Sequence, residues 1–231
     1  CCHCFIKMNF ILINYNFMKN FFLCVVAIAT FGFSQAQEVK YGAKAGLNLA
    51  TLSGDVEDLN SKIGFHIGAF AEIKFTEKFS FQPELLMSTQ GAKYEYSESE
   101  IFGGTEFGFS EESNLKLTYL NIPLMAKYYA TSKFSLEVGP QIGFLVSAKE
   151  DYEYVETIDG DVDYSESEDG IDVKDNFKSI DFGLNFGLGY NFTDNVSAGI
   201  RYNLGLSNIL EDSGDFEAQN SVFQLSLGYR F

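Results

Sequence analysis

The chain reads as an all-β protein, an eight-stranded antiparallel up-and-down transmembrane barrel with short turns on one side and long acidic loops on the other. Three observations predict this. A five-residue pattern recurs at Thr76-Glu77-Lys78-Phe79-Ser80, Thr131-Ser132-Lys133-Phe134-Ser135 and Thr193-Asp194-Asn195-Val196-Ser197, each time between two strand-like runs. The copies stand 55 and 62 residues apart, so each interval holds two strands and one long polar loop. Third, the runs alternate apolar and polar residues with period two, and none approaches the run of about 18 apolar residues that a spanning helix needs. Short turns alternating with long loops are the layout of a membrane barrel.

Ahead of the barrel, Met18-Lys19-Asn20 is a short basic start, 21–33 is apolar, and Ser34-Gln35-Ala36 is a small-x-small cleavage pattern. This marks 18–36 as a secretory signal and 37–231 as a single barrel domain. The apolar stretch is too short for a helical span, which takes about 20 residues. Residues 1–17 fit nothing downstream and read as a spurious upstream extension. Cys1, Cys2, Cys4 and Cys24 all precede the expected cleavage point, so the mature domain has no disulfide, and Cys1-Cys2-His3-Cys4 lacks a second ligand pair for zinc.

The first strand, over 39–49, puts Val39, Tyr41, Ala43, Ala45, Leu47 and Leu49 on one face and Lys40, Gly42, Lys44, Gly46 and Asn48 on the other. Successive side chains of a strand point to opposite faces, so each such run has a lipid face and a lumen face. The second strand (63–75) sends Phe65, Ile67 and Ile73 out and His66, Glu72 and Lys74 in. The third (79–93) has Phe81, Leu85 and Met87 opposed to Gln82 and Glu84. In the fourth (115–129), Leu120, Ile122 and Leu124 oppose Tyr119, Asn121 and Lys127; in the fifth (134–149), Leu136 and Val138 oppose Glu137 and Gln141. The sixth (177–192) sets Phe182 and Phe186 against Asp181 and Asn185, and the seventh (196–206) sets Ile200 and Tyr202 against Arg201 and Asn203. The last, over 221–231, has Phe223, Leu225, Leu227, Tyr229 and Phe231 outward and Gln224, Ser226, Gly228 and Arg230 inward. Aromatic residues gather near the turn ends, as an interfacial girdle requires.

Charge is unevenly placed. The chain has 32 acidic and 16 basic residues. The segments 53–62, 94–114, 150–176 and 207–220 hold 25 of the acids, and 150–176 alone holds twelve. All four are expected to be loops on the side opposite the turns. Such a surface repels phosphates and argues against nucleic acid as a partner. It suits solvation, divalent-ion bridging to anionic lipid headgroups, or capture of a cationic partner. Asp159-Gly160-Asp161-Val162-Asp163 begins like a calcium loop, but Tyr164 and Gly170 stand where the turn glycine and bidentate glutamate belong.

The lumen face carries Lys40, Lys44, Lys74, Lys127, Arg201 and Arg230 together with Glu72, Glu84, Glu137 and Asp181. An eight-stranded barrel has an interior that side chains just fill, so these charges are expected to pair and plug it. The other reading is a narrow ion path through the same residues. His66 is the one histidine of the expected domain, and no nucleophile elbow, zinc-binding helix motif, phosphate loop or dinucleotide fingerprint occurs, so neither catalysis nor a cofactor is expected.

The chain resembles the PorT-like, porin-family outer-membrane β-barrels of Gram-negative bacteria. The likeness rests on 41–48 (Tyr41-Gly42-Ala43-Lys44-Ala45-Gly46-Leu47-Asn48), 81–86 (with Pro83-Glu84), 119–124 (with Asn121-Ile122-Pro123), Gly139-Pro140, 187–190, 201–206 and the terminal Gly228-Tyr229-Arg230-Phe231. It implies a barrel in the outer membrane with both termini periplasmic and no catalytic residues. It also implies that Tyr229 and Phe231 are an insertion signal read by the barrel-insertion machinery. Outer-membrane lipids are the expected surroundings, and some members of the family assist secretion, which makes an envelope or secretion protein a candidate partner.

Overall fold

Period-two alternation becomes nine antiparallel strands in the computed structural model, which describes residues 38–56, 59–214 and 216–231. They are β1 (Glu38–Gly54), β2 (Leu59–Lys74), β3 (Phe79–Phe102), β4 (Thr105–Tyr129), β5 (Phe134–Ile158), β6 (Asp161–Asp172), β7 (Ile180–Asn191), β8 (Val196–Gly205) and β9 (Ala218–Arg230). The expected signal, upstream extension and cysteines lie outside the described residues.

Eight strands close a ring in the order β4-β3-β2-β1-β9-β8-β7-β5, with β4–β5 pairing completing it. Closure leaves no unpaired edge in the ring, which is what a spanning sheet needs where no water can bond the backbone. Around it the lipid-type residues point outward: Leu47, Phe65, Ile67, Leu85, Val138, Phe182, Leu225 and Leu227 are all exposed, and their chain neighbours are turned in.

The recurring pentapeptide is a turn device. In each copy the threonine hydroxyl accepts the N–H groups two and three residues on: Lys78 and Phe79 to Thr76 Oγ1 at 3.2 and 3.0 Å, Lys133 and Phe134 to Thr131 at 3.3 and 3.0 Å, Asn195 and Val196 to Thr193 at 3.2 and 2.9 Å. A side-chain oxygen thus satisfies amides that the ladder cannot, and the chain reverses tightly. The aromatic girdle follows at these ends, with Phe79 on Tyr128, Tyr190 on Phe192 and Tyr229 on Phe231 at ring-centre distances of 5.1, 5.2 and 5.6 Å.

The opposite side corrects the loop assignment. Segments 94–114 and 150–176 are mostly strand: β3, β4 and β5 run for 24, 25 and 25 residues, more than twice the roughly 9–11 that cross a bilayer. Two-residue turns drive this. Gly103 and Gly104 have φ of +67° and +95°, Asp159 and Gly160 of 51° and +84°. Positive φ at both central residues is the turn that matches strand twist, so pairing continues up to Phe102↔Thr105 and Ile158↔Asp161. Among the described residues the ninth strand, β6, pairs only with β5 and stands outside the ring. The four strands β3 to β6 therefore continue past the rest of the ring as one sheet. β2 joins β3 no further than Leu59↔Tyr94.

Candidate functional site

The lumen centres on Glu84, whose carboxylate is fully buried. Arg201 from β8 meets it with two parallel bonds of 3.0 and 2.9 Å, Lys44 from β1 donates at 2.8 Å, and Gln82 Nε2 donates at 2.7 Å. Arg201 also reaches Glu137 of β5 at 3.2 Å, and Lys127 of β4 pairs with Glu137 at 3.0 Å while donating to Gln82 Oε1 at 3.1 Å. Five of the ring's strands are thus cross-linked through one network, and bidentate arginine–carboxylate pairing gives it a fixed geometry. Nearer the turns, Glu72 accepts Ser80 Oγ at 3.1 Å and the Tyr129 hydroxyl, and pairs with Arg230 at 2.9 Å.

Glycines make room for these long side chains. A Cβ on Gly189 would lie 2.6 Å from Glu137 Oε1, and one on Gly46 2.7 Å from the His66 ring. His66 itself is buried. Asn48 turns its amide N–H groups to Ser88, Phe65 and Thr89, and its Oδ1, an acceptor, takes the Nδ1–H of His66 at 2.7 Å; His66 Nε2 lies 2.9 Å from the Ser226 hydroxyl.

Lys74 and Asp181, also expected in the lumen from sequence, stand toward its two ends. Lys74 is exposed where β2 ends, with its ammonium 5.6 Å from the Tyr129 ring centre, because the strand reaches the rim there. Asp181 is buried at the other end, accepting Ser207 Oγ at 2.7 Å and Asn220 Nδ2 at 2.9 Å. Above it the lumen turns apolar. Leu117, Tyr119, Leu145, Ala148, Ile209 and Ala218 form a buried cluster, against which Val173, Phe177 and Leu210 pack. The connections after β6 and β8 are tied across this mouth by Lys178 N–H to Ile209 C=O at 2.7 Å and Glu211 N–H to Asn176 C=O at 2.9 Å. Tyr229 and Phe231 lie exposed on the girdle, not in the lumen.

The projecting sheet forms a second region, which the sequence reading placed in loops. Its aromatic rings step across four strands: Tyr96 to Phe109 at 5.6 Å, Phe109 to Tyr154 at 6.4 Å, Tyr154 to Tyr164 at 6.4 Å. Each tyrosine donates its hydroxyl to the glutamate two residues on, Glu98, Glu156 and Glu166, at 2.8, 2.8 and 3.1 Å. That bond to a carboxylate pushes all three phenols above their ordinary pKa. The signal was present in the sequence as three Tyr-x-Glu triplets and in the Gly-Gly and Asp-Gly turns between them.

A closed ring with lipid-type residues outside, paired charges inside and an aromatic girdle at the turns defines a transmembrane barrel of the outer-membrane kind. The family model for the outer membrane protein beta-barrel domain matches residues 33–211, and the chain belongs to that family. Its place is therefore the outer membrane, among barrel proteins. Among solved structures, it is similar to Neisserial surface protein A (14% identity, covering 84% of this chain and 99% of that one, TM-score 0.42). It is similar also to Ail, the attachment invasion locus protein of Yersinia pestis (14%, 84% and 99%, 0.41), and to the outer membrane protein OprG from Pseudomonas aeruginosa (11%, 84% and 97%, 0.36). Likeness at such identities concerns the fold alone. No curated protein matches the chain.

Proposed function

We propose that this is a non-enzymatic outer-membrane barrel whose lumen is a closed structural core and whose work is done at the cell surface, by the sheet of β3 to β6. The observation that carries the reading is the double closure of the lumen. Glu84, Arg201, Glu137, Lys127 and Lys44 bridge its width, and the cluster around Leu117, Tyr119 and Ile209 fills the mouth beyond them. Buried charges that are fully paired give a conducting ion nothing to exchange with, and an apolar mouth adds a dehydration barrier.

In this reading the termini and the threonine turns face the periplasm and the long sheet faces outward, so that the segment 150–176 acts in adhesion or in an envelope or secretion assembly. The PorT-like resemblance favours the second. Lipids surround the exposed apolar belt, and the barrel-insertion machinery recognises the strand ending at Tyr229 and Phe231.

Planar-bilayer recording tests the closed core. The purified barrel should give no reproducible unitary conductance. Steady single-channel steps that vanish in Glu84→Gln or Lys127→Met variants would establish the narrow-channel reading instead.

A further inference from the structure

In the projecting sheet, residues directly opposite one another share a face. The pairings Glu98↔Phe109, Phe109↔Glu156 and Glu156↔Tyr164 give one row, and Tyr96↔Glu111, Glu111↔Tyr154 and Tyr154↔Glu166 give the next. Acid and ring therefore alternate in both directions, along every strand and across every pair. Glu100↔Phe107 toward the tip and Tyr152↔Glu168 toward the barrel add further acid–ring pairs across strands, although along each strand like follows like there.

This face is the outward continuation of the lumen face. Ser88 and Gln90 of β3 point in, as do Tyr119 and Leu117 of β4, and the same parity leads to Tyr96 and Phe109. Across from it β1, β2, β7, β8 and β9 have already ended, so the concave side has no opposing wall among the described residues. It opens as a cleft of about 630 Å³ lined by Glu98, Phe107, Phe109, Tyr154, Glu156 and others.

Charge is sorted between the two faces. The lysines of this region pair elsewhere: Lys93 with Glu95 and Glu112, and Lys116 with Asp151. Glu95, Glu112 and Glu153 oppose one another on the other face. No salt bridge reaches Glu98, Glu111, Glu156 or Glu166 among the described residues. The carboxylates of Glu98, Glu156 and Glu166 hold the tyrosine hydroxyls in place through one oxygen and keep the other available, while Tyr96, Phe109 and Tyr164 remain exposed.

From this arrangement we infer that the concave face of β3–β6 is a docking surface for an arginine-rich peptide segment of a partner protein. A guanidinium is planar: it lies on an aromatic ring and at the same time offers two parallel N–H groups to a carboxylate beside that ring. Each strand supplies one such ring–acid pair, and four strands set them in a row about 15 Å long at the usual spacing of about 4.8 Å. A row of that length fits a polyvalent chain rather than a single small ion. The inference names the ligand chemistry of the proposed surface role and rests on that reading. Conductance and peptide binding are separate measurements, so a conducting barrel that bound the peptide would overturn the closed core and leave the docking face standing.

The test uses the full chain in lipid nanodiscs and a fluorescent synthetic peptide of alternating arginine and serine, with lysine–serine and glutamate–serine peptides beside it. The arginine peptide should bind, the lysine peptide more weakly, and the glutamate peptide not at all. Combined Glu98→Gln, Glu111→Gln and Glu156→Gln should weaken arginine-peptide binding about tenfold. Glu95→Gln, Glu112→Gln and Glu153→Gln change net charge equally on the opposite face of the same strands and should leave binding unchanged. Tyr154→Leu should weaken the arginine peptide about threefold and the lysine peptide less. Equal loss in both glutamine triples would reduce the attraction to bulk charge and overturn the docking face, as would undiminished binding in the first triple. Heat-modifiable gel mobility confirms that every variant is a folded barrel.

Discussion

Glu84 shows how one residue can hold a barrel's interior together. Its two oxygens receive Arg201 twice, Lys44 and Gln82, so its loss would strand Lys44 and leave Arg201 with Glu137 alone. Removing one partner of a buried ion pair typically costs about 3–5 kcal/mol, most of it the penalty of the charge left behind. Glu84→Ala is expected to lower unfolding stability in lipid vesicles by about 3 kcal/mol, read from the urea midpoint of tryptic protection. The double change Glu84→Met with Arg201→Met should recover part of the loss, because it removes the half-paired guanidinium as well and leaves Glu137 to Lys127. A single-mutant midpoint within error of the parent would show the network to be energetically idle.

Among the elements, β6 is the one the ring does not need. Its only partner among the described residues is β5, and the eight pairings that close the barrel all lie elsewhere. Excising 152–168 and joining Asp151 to Asp169 should leave heat-modifiable mobility and proteinase resistance of the barrel intact while abolishing peptide binding at the concave face. A barrel that failed to close would mean that the projecting hairpin templates β4–β5 pairing. The extension also shows where element boundaries were hard to see. Lumen and lipid faces were legible as polar against apolar, but in 94–114 and 150–176 both faces are polar, because water replaces lipid on one side. Alternation of ring with carboxylate carries little hydropathy contrast, although it is as strict as that of the membrane strands. The two turn dipeptides, Gly103-Gly104 and Asp159-Gly160, were the better guide. The second of these, which opens a segment that fails as a calcium loop, is a hairpin apex where Asp159 Oδ1 accepts the Glu106 N–H at 2.9 Å.

For the molecule as a whole, assembly converges on the turn side. Arg230 N–H bonds Asn195 C=O at 2.7 Å, Phe231 N–H bonds Tyr41 C=O at 2.9 Å, and Asn195 Nδ2 bonds Arg230 C=O at 2.8 Å, so the last residues close β9 onto both neighbours. Deleting Phe231, or replacing it with aspartate, should lower the amount of barrel in the outer membrane several-fold, measured by fractionation and surface-protease accessibility. Undiminished assembly would remove the terminal aromatic residue from the insertion signal.

What the amino-acid sequence determined alone was which way each membrane strand faces, where the three threonine turns fall and that Lys44, Glu84, Lys127, Glu137 and Arg201 share the lumen. Those features follow from the period of two and from local turn chemistry, and both are properties of neighbouring residues. Tertiary structure decided the rest. That Glu84 is the hub, that Asp181 and Lys74 stand outside the network, and that the mouth is filled by Ile209 and Phe177 all depend on stagger between strands far apart in the chain. The same stagger lines up four Tyr- or Phe-bearing strands so that rings and carboxylates alternate, and register of that kind is set by hydrogen bonding across strands rather than by any one of them.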